Sequence, residues 1–388
     1  MQLQEDGRFI IMRKLGWGMY SSVWLAQDQK LERFVAIKIL TCEATQALER
    51  QKSDEIAMLQ KVAETDRSHE GSRHVVEFYE TFVMAGPHGL HRCIVTEPLG
   101  LNIDHLRKEF GDARLGLPFV KTIVRQILLG LDYLHNSCGI VHTDLKFDNI
   151  MLRPDSISFC VAATLAADPS KAYCFDTSKP PSIVPVESQT IRIWGRPLEP
   201  GEVRLDACIV DLGHSHWVDR HFQEHIQPMA LRAPEVILGY PWNGSTDVWN
   251  LGCLVCILLI WVFKPLTGCW LFEAHGTDNW STEEDHLVRM TQTLEEQFSL
   301  DFIRQCEKRS SYFKEDGTWA HFTEHLEPNW PLRKSFETFS KFADDEEEIN
   351  AVIKFLKRCL RLRPEDRATP RELVDDPWLA SGTPSRFC

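Results

Sequence analysis

Along the first forty residues apolar and polar positions alternate with a period near two, the pattern of strands half-buried in a sheet. Residues 8–15 alternate loosely, 22–26 follow a glycine turn, and 34–40 (FVAIKIL) form a β-rich run. Between 45 and 62 the period changes. Leu48, Glu55, Leu59 and Val62 fall on one face at helical spacing, so a helix is expected there. A second strand group is expected at 74–84 and 91–97. From Phe119 the helical period takes over. Val120, Ile123, Val124, Ile127, Leu128, Leu131 and Leu134 form one long apolar stripe. Further helices are expected at 246–263, 285–298, 349–360 and 370–375. The pattern predicts an α+β fold with a small β-rich N-terminal lobe joined to a larger, mainly helical C-terminal lobe.

Two stretches break the pattern. Residues 153–207 carry seven prolines, including KPPSIVP and GRPLEPG, and only 190–194 looks strand-like. A loop-rich insertion on the surface of the second lobe is expected. Residues 299–340 are a second irregular region, rich in Phe, Trp, Glu and Lys. The acidic run 344–348 reads as a solvated helix start favoured by the helix dipole. No internal repeat or low-complexity tract is visible.

Composition narrows the function classes. A chain of 388 residues exceeds what one hydrophobic core supports, which agrees with two lobes. With 43 Lys+Arg against 56 Asp+Glu the formal charge is −13, which disfavours binding to a nucleic-acid backbone and suits a basic protein or peptide partner. The longest apolar run, 251–263, is too short to span a bilayer, which takes about 20 residues. The N-terminus lacks a basic-then-apolar signal pattern. Twelve scattered cysteines therefore read as reduced thiols, and a monomer of the cytoplasm and nucleus is expected. Cys253 and Cys256, a C-x-x-C inside an apolar helical run, read as packing thiols rather than a metal or redox pair.

Four motifs carry chemistry. In KLGWGMYSSVWLA (14–26), Gly16 and Gly18 allow a tight turn and close approach to a phosphate; alone the motif reads as an ordinary hairpin turn, and Val23 with the flanking strands adds weight to a nucleotide loop. In VAIK, Lys38 ends an apolar strand. Glu55 lies on the apolar face of the following helix, where a carboxylate needs a cation, and Lys38 is the natural partner. IVHTDLKFDNIML (140–152) is the strongest signal. Phosphoryl transfer needs a carboxylate to receive the hydroxyl proton, a cation near the moving group, and an oxygen ligand for Mg²⁺. Asp144, Lys146 and Asn149 supply one of each within six residues. In CIVDLGHSHW (208–217), Asp211 stands after an apolar strand and before a Leu-Gly turn, a place for a metal ligand or for a plain Asp turn. LRAPEVILG, STDVWNLGC and LRPEDRATPREL follow in that order, each compatible with a simple helix cap.

Taken together and in this order, the motifs resemble the eukaryotic protein kinases over residues 8–380. The resemblance implies the bilobal kinase fold with ATP in the cleft: a β-rich N-lobe with one key helix at 1–98, a mainly helical C-lobe at 99–380 and a short tail at 381–388. It implies that Leu15, Gly16, Trp17, Gly18, Met19, Tyr20, Ser21, Ser22 and Val23 cover the nucleotide. Ala36, Glu97 and Leu99 would line the adenine site, with Thr96 as gatekeeper. Lys38, aligned by Glu55, would hold the phosphates. Asp144 would be the base with Lys146 beside the γ-phosphate, and Asn149 and Asp211 would bind Mg²⁺. Glu235 would pair with Arg367 in a structural role. More narrowly, KLGWGMYSSVWLA, HTDLK, DLG, HFQEHIQ and LFEAH followed by EEDH resemble the SR-protein kinases of the CMGC group, fungal members included. These phosphorylate Arg/Ser-rich splicing factors and carry a spacer where 153–207 stands, with a CMGC-type insert at 283–340.

Thr143 replaces the Arg that in many kinases binds an activation-segment phosphate. Between Asp211 and Glu235 the only hydroxyl side chain is Ser215. A kinase active without phosphorylation of that segment is expected. Asp285 matches the first acidic docking residue of the resembled family, but the second position is the neutral Gln292. Glu283, Glu284, Asp285, Glu295 and Glu296 are the candidate docking acids. With all six polar catalytic positions filled, an active serine/threonine kinase is favoured over a pseudokinase scaffold; LRAPE and the 283–340 insert argue for protein rather than small-molecule substrates, and a kinase with non-SR substrates is the alternative.

Overall fold

A computed structural model describes residues 2–3, 7–86, 88–109, 116–173, 185–194, 205–260, 271–272, 274–321, 330–340 and 342–380. Its strands are β1 (Gln2–Leu3), β2 (Phe9–Trp17), β3 (Ser21–Asp28), β4 (Arg33–Leu40), β5 (Phe78–Gly86), β6 (Gly89–Thr96), β7 (Ile140–Val141), β8 (Ile150–Leu152), β9 (Ala207–Ile209) and β10 (His216–Trp217). Its helices are α1 (Cys42–Glu49), α2 (Glu55–Glu64), α3 (Ile103–Glu109), α4 (Leu117–Asp132), α5 (Ile157–Ala167), α6 (Pro234–Leu238), α7 (Ser245–Ile260), α8 (Thr282–Leu294), α9 (Leu300–Gln305), α10 (Leu332–Phe339), α11 (Glu346–Cys359), α12 (Pro370–Val374) and α13 (Pro377–Ala380). No described helix is long and apolar enough to cross a membrane. The ends of the predicted run 251–263 and helix 246–263 lie outside the described residues, as do most of KPPSIVP and GRPLEPG and the tail 381–388.

The described residues group into two compact units, Met1–Glu109 with Asp148–Gly213 and Phe110–Phe147 with His214–Cys388. This division differs from lobes at 1–98 and 99–380, because the described residues between 148 and 213 group with the N-terminal sheet. That sheet is antiparallel with order β1-β2-β3-β4-β6-β5. On one face Phe9, Ala26, Val35, Ile37, Cys93 and Val95 form a sealed core. The opposite face carries Leu25, on which Cys160 and Val161 of α5 and Ile191 pack, together with Met12, Leu15 and Phe34.

The proline-rich insertion is therefore neither all loop nor all surface. Its helix α5 escapes a periodicity reading because ISFCVAATLAA is apolar nearly all round. Residues 190–194 form no strand. They are held instead by side chains and single backbone bonds: Arg13 Nη1 donates to the Thr190 carbonyl at 3.1 Å, its Nη2 to that of Asp168, and Gln189 N donates to Lys14 O at 2.9 Å. The helix expected at 45–62 is two helices. Gln51 takes a left-handed conformation (φ 55°) in the break between them, and Thr45 rather than Leu48 is the buried residue of α1. The strand expected from 74 begins at Phe78; Val75 makes only an isolated bridge to Ile209.

In the second unit α4 buries the predicted stripe, including Val120, Ile123, Val124, Ile127, Leu128 and Leu131, and α7 is buried along nearly its whole length. Cys253 and Cys256 lie in that buried stretch, and burial pushes both thiols up from their ordinary acidity. Asn243 Oδ1 accepts from Ser245 N at 2.9 Å at the start of α7. The irregular region after 299 contains α9 and α10.

Candidate active site

The glycine turn is the hairpin between β2 and β3. Gly16 pairs with Val23 and Trp17 with Ser22, and Gly18 N donates to Ser21 O at 2.8 Å. A Cβ added at Gly16 or Gly18 would meet nothing within 4 Å, so these glycines leave open space rather than relieve a clash. Trp17, Met19 and Tyr20 at the tip are exposed. Strand register places Val23 opposite Lys38 and Leu25 opposite Ala36, while Ala36 pairs with Thr96 of β6. Alternation along β4 thus puts Lys38 and Ala36 on the face away from the sealed core.

Lys38 Nζ lies 2.6 Å from Glu55 Oε1 and 2.7 Å from Asp211 Oδ1. Burial works against its charge, yet the two carboxylates outweigh that and hold the ammonium well above its ordinary range. Glu55 is the first residue of α2 and is itself buried, as its place on the apolar stripe required. Ser53 Oγ, just before α2, donates to Gly213 O at 3.2 Å and ties the Asp-Leu-Gly turn to the same helix end.

Asn149 and Asp211 flank the β8–β9 pair. Ile150 faces Ile209, and Val210 N donates to Asn149 O at 3.0 Å, so the two residues sit side by side. Asp211 turns out of the strand in a left-handed conformation (φ 66°). An amide and a carboxylate oxygen are hard donors of the kind Mg²⁺ takes alongside substrate phosphates. The residues leaving β6 continue this framework. Gly100 N donates to Leu152 O and Leu152 N to Leu101 O, both at 2.9 Å. The Glu97 carboxylate is buried and bound by Arg153, whose Nε reaches Oε2 at 2.6 Å and Nη2 reaches Oε1 at 2.7 Å. In the sequence Arg153 reads only as the first residue of a loop, because its partner Glu97 lies far along the chain.

In the second unit the 142–146 segment is fastened from behind. Asp247 of α7 accepts from His142 N at 2.8 Å and Thr143 N at 2.7 Å, and His135 Nε2 stands 2.8 Å from it. Burial works to raise the Asp247 carboxyl, but His135 and these bonds outweigh it and hold it below its usual range. Asp144 and Lys146 are paired at 2.7 Å. Thr143, left-handed at φ 63°, donates its hydroxyl to His214 O at 2.7 Å. Ser215 is buried and its hydroxyl donates to His142 O at 3.2 Å. Downstream, buried Arg232 donates to the carbonyls of Ile226 (3.1 Å) and Gln227 (2.9 Å). The Gln227 side chain in turn reaches Thr246 O, Asn250 Oδ1 and Ala233 N. Glu235 and Arg367 are joined through both oxygens at 2.6 Å.

The acidic docking residues are placed differently from a free acidic face. Glu284 and Asp285 are each 1% exposed. Glu284 accepts from His321 N (3.1 Å) and stands 2.9 Å from its Nδ1. Asp285 holds Arg289 and His275 N, each at 2.7 Å. Helix α8 ends at Leu294, so Glu295 and Glu296 follow it rather than extend it, and Glu296 bridges to Arg361 at 3.1 Å. Glu283 is half-buried and Glu295 exposed.

The protein kinase domain profile matches residues 9–166 and 202–379. The chain belongs to the protein kinase family. The kinase is 34% identical over 390 residues to a Physarum polycephalum protein named serine/threonine-protein kinase SRPK, covering 96% of this chain and 86% of that one. It is 27% identical to protein kinase dsk1 of Schizosaccharomyces pombe (96% and 80% covered) and 25% identical to human SRSF protein kinase 3 (96% and 86%). A crystallised kinase domain has the same fold, with a TM-score of 0.67 at 21% identity over 98% of both chains. The kinase is thus a serine/threonine protein kinase of the SR-protein kinase type, and its domain implies use of ATP and a divalent metal.

Proposed function

We propose that the kinase transfers the γ-phosphate of ATP to serine hydroxyls in basic, Arg/Ser-rich proteins. The observation that carries the reading is Lys38 bridging Glu55 and Asp211, a cation held charged beside a metal-ligand carboxylate. In this reading residues 15–23 cover the nucleotide, Ala36, Glu97 and Leu99 line the adenine with Thr96 behind it, and Lys38 meets the phosphates. Asn149 and Asp211 hold Mg²⁺, which neutralises charge on the phosphates when bound. Asp144 takes the proton of the attacking serine hydroxyl, and Lys146 stabilises charge on the transferred group. Names of the relatives and the net charge of −13 support a basic substrate. Docking through Asp285 and Glu284 has less support, because their carboxylates are occupied by this chain's own donors. Glu283 and Glu295 are the better candidates.

Activity independent of activation-segment phosphorylation has a physical basis. The one hydroxyl there, on Ser215, is buried and hydrogen-bonded, and Thr143, Gln227 and Arg232 hold the segment with neutral or backbone partners. The test measures phosphate transfer to an Arg-Ser repeat peptide against a neutral serine peptide, with Asp144→Asn as control. Preference for the basic peptide and a loss of about 10²–10⁴ in the control are expected. Equal use of both peptides removes the substrate class. Full turnover in the control removes the assigned base.

A further inference from the structure

Arg153 stands one residue beyond β8, the strand that begins directly after Asn149. Its guanidinium has five N–H donors and meets five acceptors. Nε donates to Glu97 Oε2 at 2.6 Å and Nη2 to Glu97 Oε1 at 2.7 Å. Nη1 donates to Arg73 O at 2.8 Å and to Asp206 Oδ2 at 3.0 Å, and Nη2 reaches Cys208 Sγ at 3.5 Å. The acceptors lie on separate pieces of chain: the end of β6, the turn before β5, and β9 with the residue preceding it. Glu97 is fastened from its other side as well. Glu77 N donates to Glu97 Oε1 at 3.0 Å, and Glu97 N donates to Glu77 O at 3.0 Å. The planar fork admits little sliding, because two parallel bonds fix its angle as well as its distance.

We propose that Arg153 is a positioning residue for nucleotide recognition: one guanidinium fixes the adenine-side segment 97–99 against the β8–β9 pair that Asn149 and Asp211 flank. This rests on the kinase reading above. Nothing in the arrangement requires Arg153 to touch the nucleotide. It acts through Glu97, whose backbone leads to Leu99, and through β8 and β9, whose ends hold the metal donors. Loss of the fork lets the two sides drift independently. Base selection, which needs the segment held to a few tenths of an ångström, suffers before phosphate transfer does.

The test uses the full chain. Arg153→Met combined with Glu97→Gln removes the pair without stranding a charge, and Arg153→Lys keeps a cation without the fork. In the double variant KM for ATP rises about tenfold and the ATP:GTP ratio of kcat/KM falls by a similar factor, while Arg153→Lys, which leaves Glu97 intact, keeps kcat within about twofold of wild type. Arg153→Lys lies between wild type and the double variant. Calorimetric Kd values for ADP and GDP make the same comparison without turnover. A folded double variant with wild-type ATP:GTP selection and only a lower melting temperature overturns the proposal. If the double variant does not fold, Arg153→Lys decides alone, and unchanged selection in it overturns the proposal. A wild type that selects ADP over GDP but transfers no phosphate removes the kinase reading, while loss of that selection in Arg153→Lys still supports the positioning role.

Discussion

Arg367→Met tests the buried ion pair of the second unit. The side chains of Glu235 and Arg367 are both 0% exposed, joined by two bonds of 2.6 Å. Arg367 also donates to Arg361 O at 2.9 Å and Ser245 O at 3.1 Å, and its guanidinium carbon stands 4.9 Å from the Trp249 ring centroid. Methionine fills most of the volume but leaves the Glu235 carboxylate in the interior without its cation. Breaking one side of such a pair costs roughly 3–5 kcal/mol, because the remaining charge keeps its desolvation penalty. At roughly 2–4 °C per kcal/mol for a unit of this size, the melting temperature drops by on the order of 6–20 °C. Urea unfolding followed by tryptophan fluorescence, with Trp249 beside the pair, measures the loss. Adding Glu235→Gln removes the stranded charge and recovers much of the stability. A loss under about 1 kcal/mol in the single variant, or a double variant as weak as the sum of both singles, refutes the reasoning.

Further outcomes follow from other contacts. Lys38→Met removes the cation between Glu55 and Asp211, and kcat in single-turnover assays falls about 10²–10³-fold with the fold retained by circular dichroism. Ser215→Ala, expressed in bacteria and never exposed to another kinase, keeps the activity of the parent in the peptide assay. Gly100→Val places a Cβ 2.2 Å from Ile193 Cγ2 and 3.0 Å from Ile191 O, and urea titration shows a loss of roughly 1–3 kcal/mol. Burial, with His221 and His214 nearby, lowers His216 from 6.5 to about 4, and its Nδ1 accepts from Phe222 N at 2.9 Å. Such a histidine gains its proton only on unfolding between those values. The contribution of this group to stability is therefore flat above pH 6.5 and declines from there to pH 4, by on the order of 3 kcal/mol, read as the difference in unfolding midpoints between the parent and His216→Gln across pH.

Much of the site was legible because its chemistry is local in sequence. Glu55 on an apolar helical stripe demanded a cation, and Lys38 is that cation. Asp144, Lys146 and Asn149 lie within one short segment. What was not legible depends on partners far along the chain. Glu284 and Asp285 look like a solvated helix start; they are buried because His321, His275 and Arg289 supply donors. Arg153 looks like a loop residue until Glu97 is seen opposite it. The break at Gln51 and the helix α5 escaped for a different reason: one is a backbone conformation no side chain announces, and the other lacks a polar face.

Arg13 grips the carbonyls of both Asp168 and Thr190, so the excursion between those residues starts and finishes at the same side chain. A loop clasped at its root can be lengthened, shortened or exchanged without disturbing what lies on either side, since each doubling of a flexible loop adds only about 0.6 kcal/mol of closure entropy. The length of this excursion can therefore change while its root stays closed.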